Sequence, residues 1–260
     1  MLEVKNLSVN YLSGQETVKA VEGVSLAVGS GESLGVVGES GSGKSTIALA
    51  IMRLISAPGK IVGGEINFQG RDLLKISEEV MIKVRGARIS MIFQDPFTSL
   101  NPVFTIGDQI AEAVALHQGL NRRESWKKAV EMLELVRIKN PKIRARDYPH
   151  QFSGGMRQRA MIAMALACQP DLLLADEPTT ALDVTIQAEI LSLLKDIQVQ
   201  LKFGLLYITH NFGIIKEMCE RAVVIHKGKL VESGSVSQII DSPSQAYTKR
   251  LIDCVRALKG

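Results

Sequence analysis

Gly38-Glu39-Ser40-Gly41-Ser42-Gly43-Lys44-Ser45-Thr46 lies between two apolar runs, Ser33-Leu34-Gly35-Val36-Val37 before it and Ile47-Ala48-Leu49-Ala50-Ile51-Met52 after it. The first run reads as a buried strand and the second as a helix, the context that the pattern G-x-x-x-x-G-K-[ST] requires. Gly38, Gly41 and Gly43 let successive backbone N–H groups converge on one concave point, because glycine reaches backbone angles that a side chain penalises. A phosphate group fits there. The helix starting near Lys44 adds the positive end of its dipole, Lys44 reaches the terminal phosphates, and the Ser45 hydroxyl is placed to ligate Mg²⁺. The stretch reads as the cradle of a nucleoside triphosphate; its structural alternative is a glycine-rich turn.

The 260 residues are 46% hydrophobic and 22% charged, enough for one large domain or a core with a smaller lobe. A net charge of +4 is a mild excess that solvated surface accounts for, so it does not by itself point to nucleic acid. Cys168, Cys219 and Cys254 stand far apart without metal-ligand spacing and read as small buried hydrophobes, an odd set that suits a reducing compartment. No run approaches the ~20 apolar residues of a membrane span, and the longest candidate ends at Gln169-Pro170. Met1-Leu2-Glu3-Val4-Lys5 lacks the shape of a signal peptide, so the expectation is a soluble, cytoplasmic chain.

Residues 2–11 alternate apolar and polar, and residues 18–28 do so less regularly, which predicts an antiparallel β lobe ahead of the phosphate loop. Tyr11, at the end of the first strand, offers its ring either to a base or to the core. Residues 63–70 predict another strand closed by glycine turns, and Ser77-Glu78-Glu79 a short helix. Ile89-Ser90-Met91-Ile92-Phe93 is a short apolar strand ending at Gln94-Asp95-Pro96. Beyond it the pattern turns helical over 105–117 and 121–136, with Asn121 and Glu124 in capping-box spacing and Trp126, Val130 and Leu133 on one face. The bases of this insertion, from Arg122 to Arg146, form either a solvated face or a contact surface for an acidic partner.

The α/β pattern returns at Leu172-Leu173-Leu174-Ala175, an inner-strand run that delivers Asp176 and Glu177 at its C-terminal end. A helix with Ile186, Ile190, Leu194, Ile197 and Leu201 at helical spacing follows, then a strand ending at Thr209-His210, a hairpin turned by glycine, and a closing helix over 244–258. Phosphate loop, Asp176-Glu177 and His210 are expected along the C-terminal edge of one parallel sheet, where open α/β sheets place ligands. Asp176 suits Mg²⁺, Glu177 suits proton abstraction from an attacking water, and Gln94 and His210 suit orientation of that water and the γ-phosphate. Each is weak alone, since a lone histidine is usually structural and an acidic pair at a strand end is often only a turn.

Phe152-Ser153-Gly154-Gly155-Met156-Arg157-Gln158-Arg159 puts a second anion-binding turn at a helix N-terminus, and one triphosphate does not need both loops from one chain. In this order the phosphate loop, Gln94, Ser153-Gly154-Gly155, Asp176-Glu177, Ala181-Leu182-Asp183 and His210 resemble the ATP-binding subunits of ABC transporters over nearly the whole chain. The resemblance implies a P-loop NTPase core with a mainly parallel sheet, an antiparallel β lobe and a helical subdomain. It implies a single ABC ATPase domain, with 1–95 and 169–235 as core and β lobe, 96–168 as the helical subdomain and 236–260 as a C-terminal helical tail. Met91 to Pro102 and the wording around Ser153 resemble the branch that powers import of dipeptides, oligopeptides and nickel, with Met156 resembling its D-type partner.

The implied machine is an ATP hydrolase working on two membrane permease subunits at the cytoplasmic face of the membrane, with an extracytoplasmic substrate-binding protein upstream and no nucleic acid. It pairs with a second ATPase subunit, a different chain or a copy of this one, head to tail, so that the Ser153 loop of one closes on the γ-phosphate held at Lys44 of the other. Residues 38–46 and 153–155 bind ATP, Tyr11 carries the adenine, Ser45, Gln94 and Asp176 hold Mg²⁺, and Asp183 lies at the dimer interface. A soluble ABC ATPase of DNA repair or translation is the alternative, but such chains usually carry paired cassettes, coiled-coil arms or zinc modules. Two departures stand out. Asn211 follows His210 where the family commonly has Asp, and Ser242-Pro243-Ser244-Gln245-Ala246-Tyr247-Thr248 resembles the family's Pro-x-His-Pro-Tyr-Thr turn without its His-Pro. The cysteine-bearing extension of some relatives is absent, so no iron–sulfur cluster is expected.

Overall fold

The computed structural model describes residues 1–13, 16–95, 99–180 and 182–257; Pro96, Phe97, Thr98, Ala181 and Leu258, which belong to stretches singled out above, lie outside the described residues. The chain divides into two compact units, one of residues 1–81 and 204–260 and one of residues 82–203.

In the first unit, β1 (Leu2–Ser13) and β2 (Glu16–Val28) form the predicted antiparallel pair, burying Leu2, Val4, Leu7 and Val9. The apolar positions change parity between Val4 and Leu7 because the register slips there, with Asn6 at φ 47°. β3 (Ser33–Val37) is buried at all five positions and runs into the phosphate loop and α1 (Lys44–Ile51). β4 (Gly59–Phe68) pairs with the other side of β1 and with β5 (Arg71–Asp72). This strand starts earlier than the glycine pattern predicts. Gly64 faces a bulge of β1, where Asn6 and Leu7 both lie opposite it between the pairs Lys5–Glu65 and Ser8–Gly63: Gly64 has φ +100°, and a Cβ there would stand 2.6 Å from the Leu7 Cα. α2 (Glu78–Val84) leads into the second unit.

There, β6 (Ile89–Ile92) is followed by α3 (Ile106–Gln118) and α4 (Arg122–Leu135). The capping box at the start of α4 is present, Asn121 Oδ1 accepting the Glu124 N–H and Glu124 accepting the Asn121 N–H. Of the three residues predicted on one face of α4, Leu133 is buried. Ser125, Ala129, Met132 and Leu133 are buried, while Trp126 and Val130 are half-buried. Trp126 instead reaches sideways over Gly107, where a Cβ would come within 2.7 Å of its ring, so α3 leaves room for the indole. The short α5 (Pro141–Arg144) and α6 (Gly154–Leu166) come next, then β7 (Leu172–Asp176), parallel to β6, and α7 (Val184–Leu201).

The chain re-enters the first unit with β8 (Gly204–Thr209), parallel to β3. After α8 (Phe212–Met218), β9 (Arg221–His226) adds to the other side of β3 in parallel, and β10 (Lys229–Ser235) returns antiparallel to β9. α9 (Val236–Asp241) and α10 (Ala246–Ala257) close the chain.

Glu232 on β10 holds the start of α10. One carboxylate oxygen accepts both the N–H and the hydroxyl of Ser244 at 2.7 Å, and the other accepts the Gln245 N–H at 3.2 Å. Burial pushes the Glu232 pKa up, but the Thr248 side chain, Ser244 and Gln245 outweigh it and hold the carboxyl below its ordinary value of 4.5. A depressed folded-state pKa contributes stability that is present above the unfolded value and lost as pH falls through the folded one. Glu232→Gln is therefore expected to melt below the wild type at pH 7, by about 1 kcal/mol, the worth of a capping contact. As the pH falls through the folded-state value of the Glu232 carboxyl the two melting curves should converge, because the protonated side chain no longer carries the charge that Gln lacks; a gap that persists in acid refutes this account.

Candidate functional site

The phosphate loop is built on the C-terminal end of β3. Gly43 caps α1 with φ 103°, and a Cβ there would stand 2.3 Å from the Ala20 carbonyl oxygen. A Cβ on Gly38 would stand 2.2 Å from the carbonyl oxygen of Ile225, so the loop's first residue rests directly on the end of β9. The turn after β9 holds the loop's other end, the Gly228 N–H donating to the Ser42 carbonyl at 2.9 Å. Lys44 is 4% exposed and its ammonium donates to the carbonyls of Gly38 at 3.0 Å and Glu39 at 2.8 Å. Ser42 is 5% exposed and its hydroxyl has no hydrogen-bond partner among the described residues. Leaving a buried hydroxyl unpaired costs ~1–3 kcal/mol, so this loop is organised for a guest that accepts hydrogen bonds. Glu39, Ser40 and Gly41 are exposed, and Ser45 and Thr46 are half-buried in the first turn of α1.

His210 belongs to the same unit. Val37 and Thr209 are the last paired residues of β3 and β8, so the phosphate loop and His210 leave the sheet side by side. Asn211, the departure noted above, N-caps α8, its side-chain oxygen accepting the Gly213 N–H at 2.8 Å. An aspartate would make the same cap, so the uncharged residue keeps the local structure. Tyr11 lies on β1 with its ring across Gly59, where a Cβ would come within 2.5 Å of the ring.

The second unit assembles a matching strand end. Ile92 and Ala175 pair at the ends of β6 and β7, which brings Gln94, exposed, alongside Asp176 and Glu177. Asp176 is buried, the last residue of β7. Glu177 turns the chain in the left-handed region, φ 45°, and its carboxylate accepts the Thr180 hydroxyl at 2.9 Å. A non-glycine residue held there is strained, and such strain gathers at sites where a side chain has to be aimed. Thr180 went unnoticed in the sequence; its place three residues beyond an acidic strand end is the available signal.

Ser153 N-caps α6, its hydroxyl accepting the Met156 N–H at 3.3 Å, so Gly154 and Gly155 stand in the helix's first turn, as the motif predicts. Gly155 is needed for packing: a Cβ there would meet Ile186 of α7 at 2.8 Å. Asp183 N-caps α7, accepting the Ile186 N–H at 3.0 Å, and is exposed.

Comparison with known proteins adds three kinds of likeness. The family described as ABC transporter matches residues 21–180. A probable peptide ABC transporter ATP-binding protein of Sinorhizobium fredii is 52% identical over 256 residues, covering 98% of this chain and 76% of that protein. The oligopeptide transport ATP-binding protein OppD of Bacillus subtilis is 48% identical over 261 residues, covering 100% of this chain and 73% of that protein. The glutathione import ATP-binding protein GsiA of Shigella dysenteriae is also 48% identical, but this chain spans only 43% of it. Among solved structures, a dimeric ATP-binding cassette in a post-hydrolysis state, bound to ADP and Pi, superposes with a TM-score of 0.80 at 29% identity, covering 91% of this chain and 99% of that one.

Proposed function

The chain belongs to the ABC transporter family, and from that premise we propose that it is the ATP-hydrolysing subunit of an importer, energising uptake of di- or oligopeptides, with nickel as the alternative cargo, through separate membrane permease subunits. The observation that carries the reading is the phosphate loop itself, where a buried ammonium, Lys44, and a buried unpaired hydroxyl, Ser42, share one turn at a helix N-terminus. A triphosphate answers both. The named relatives, peptide and oligopeptide transport proteins, point to the cargo class.

Residues 38–46 cradle the phosphates, and Tyr11 stacks on the adenine. Glu177 takes the proton of the attacking water, while Gln94 and His210 orient that water and steady the γ-phosphate. The donors Ser45, Gln94 and Asp176 are a hydroxyl, an amide oxygen and a buried carboxylate, hard oxygen ligands that fit Mg²⁺. Bound there, Mg²⁺ supplies charge neutralisation of the phosphates. The Ser153-Gly154-Gly155 turn serves the γ-phosphate of a second cassette, a sister chain or a second copy, with Asp183 at that interface. Residues 1–95 and 169–235 act as the core with its β lobe, 96–168 as the helical subdomain that meets the permease, and 236–260 as the tail. The chain works at the cytoplasmic face of the membrane as a peripheral subunit, with an extracytoplasmic binding protein delivering the cargo; no described helix is long and apolar enough to cross a membrane.

Gentle affinity purification of the chain from native membranes tests the assignment. Two polytopic permeases and a second ATPase are the expected companions, and their identities lead to the cargo. Recovery of ribosomes or DNA in their place overturns it.

A further inference from the structure

Asp176-Glu177-Pro178-Thr179-Thr180 leads from the end of β7 toward α7, and its backbone is unusual at one point. Glu177 stands at φ 45° directly before a proline, where the chain is normally extended. A conformation of that kind persists only where the surroundings impose it. Here hydrogen bonds do so. The Glu177 carbonyl accepts the Thr180 N–H at 3.3 Å and closes a turn, while α7 pins that turn through the Gln187 amide, which donates to the hydroxyl of buried Thr179 at 2.9 Å.

The turn returns Thr180 to Glu177. The Thr180 hydroxyl lies 2.9 Å from one carboxylate oxygen of Glu177 and 3.2 Å from the Glu177 carbonyl oxygen. The carboxylate is the nearer acceptor and the charged one, so it takes the stronger bond. Thr180 is exposed and Glu177 half-buried, which leaves the contact little part in the core. Its chemistry suits a base. A glutamate side chain loses rotamer freedom when it is held in one arrangement, and a general base has to stand within hydrogen-bond reach of the proton it takes. A hydroxyl bonded to one oxygen fixes the plane of the group, and a carboxylate accepts at about four lone-pair positions, so its capacity to take a proton survives. The donor is itself fixed, because a β-branched side chain is stiff at its first torsion.

We propose that Thr180 is a positioning residue for hydrolysis: its hydroxyl holds the Glu177 carboxylate in the orientation from which it takes the proton of the attacking water. Thr180 keeps its own proton; that of the water passes to Glu177 as the water oxygen bonds to the γ-phosphorus and ADP leaves. The proposal rests on the reading of Glu177 as the general base and adds the group that aims it. It gives Thr180 a part in turnover and none in nucleotide binding.

The test is equilibrium ATP binding and steady-state hydrolysis by the full chain carrying Thr180→Val, Thr180→Ser, Thr180→Ala or Glu177→Gln. Valine has the shape of threonine and lacks the hydroxyl, so Thr180→Val is expected to lower kcat about tenfold, with KM, the ATP dissociation constant and the melting temperature at wild-type values. Thr180→Ala removes the hydroxyl without leaving a methyl in its place and should match it. Thr180→Ser keeps the donor and should restore kcat to within about threefold of wild type. Wild-type kcat in both the valine and the alanine variant overturns the positioning role while Glu177→Gln is still slow. A serine variant as slow as the valine one, or a loss that appears in KM, overturns it too, because either traces the effect to the shape of the turn. Wild-type turnover in Glu177→Gln takes down the general-base reading and this inference together.

Discussion

Glu177→Gln is expected to lower ATP turnover by about 10²–10⁴-fold while leaving ATP binding intact, the loss that follows from removing a general base. The substitution isolates the chemistry. Gln has the size of Glu and keeps an oxygen to accept the Thr180 hydroxyl, which lies 2.9 Å from the native carboxylate. The strained backbone, φ 45° at Glu177, is asked of either residue alike. What disappears is the proton acceptor. Single-turnover hydrolysis and equilibrium ATP binding, measured side by side, separate a loss of base from a loss of fold. Turnover that stays near wild type would remove Glu177 from the catalytic role and shift it to some other acceptor.

Gly43→Ala should be the most damaging single methyl group in the phosphate loop. Two penalties coincide there. The backbone stands at φ +103°, where an L side chain is disfavoured, and the added Cβ would lie 2.3 Å from the Ala20 carbonyl oxygen, a backbone atom with little freedom to retreat. Strain and overpacking each cost ~1–3 kcal/mol, so a combined loss of about 3 kcal/mol or more is expected. In a domain of this size that corresponds to a melting temperature about 10 °C lower, and ATP binding should fall with it because α1 starts at this residue. Gly41→Ala supplies the control. Gly41 also has positive φ, +75°, but nothing stands within 4 Å of its Cβ, so only the conformational cost of about 1 kcal/mol applies. Equal losses in the two variants would show that the contact with Ala20 contributes nothing.

The elements that could be read in advance share one physical property: their determinants lie within a few residues of each other. The strand, loop and helix around residues 33–51 are set by an apolar run, three glycines and a second apolar run. The Asn121 and Glu124 reciprocal cap, the Ser153 cap and the Asp176-Glu177 strand end are likewise local. Gly64 was legible as a glycine but not as the residue facing a bulge of β1, since the atom that excludes a side chain there belongs to Leu7 on that other strand. Trp126 had the right spacing for the buried stripe of α4, and it left that stripe because Gly107 on α3 offers its ring a seat.

By itself, then, the amino-acid order determined the kind of protein this is: a nucleotide-binding α/β chain of the ABC transporter family, with phosphate loop, strand-end acids and second anion turn in their order. Burial and close approach were decided only by the tertiary structure. It left the Ser42 hydroxyl buried without a hydrogen-bond partner among the described residues and seated Gly38 on Ile225. It also set the Tyr247 ring 3.8 Å, centroid to centroid, from the ring of His226. The reason is that spacing along a chain constrains neighbours through the backbone, whereas contacts between distant segments depend on which surfaces the whole core presses together.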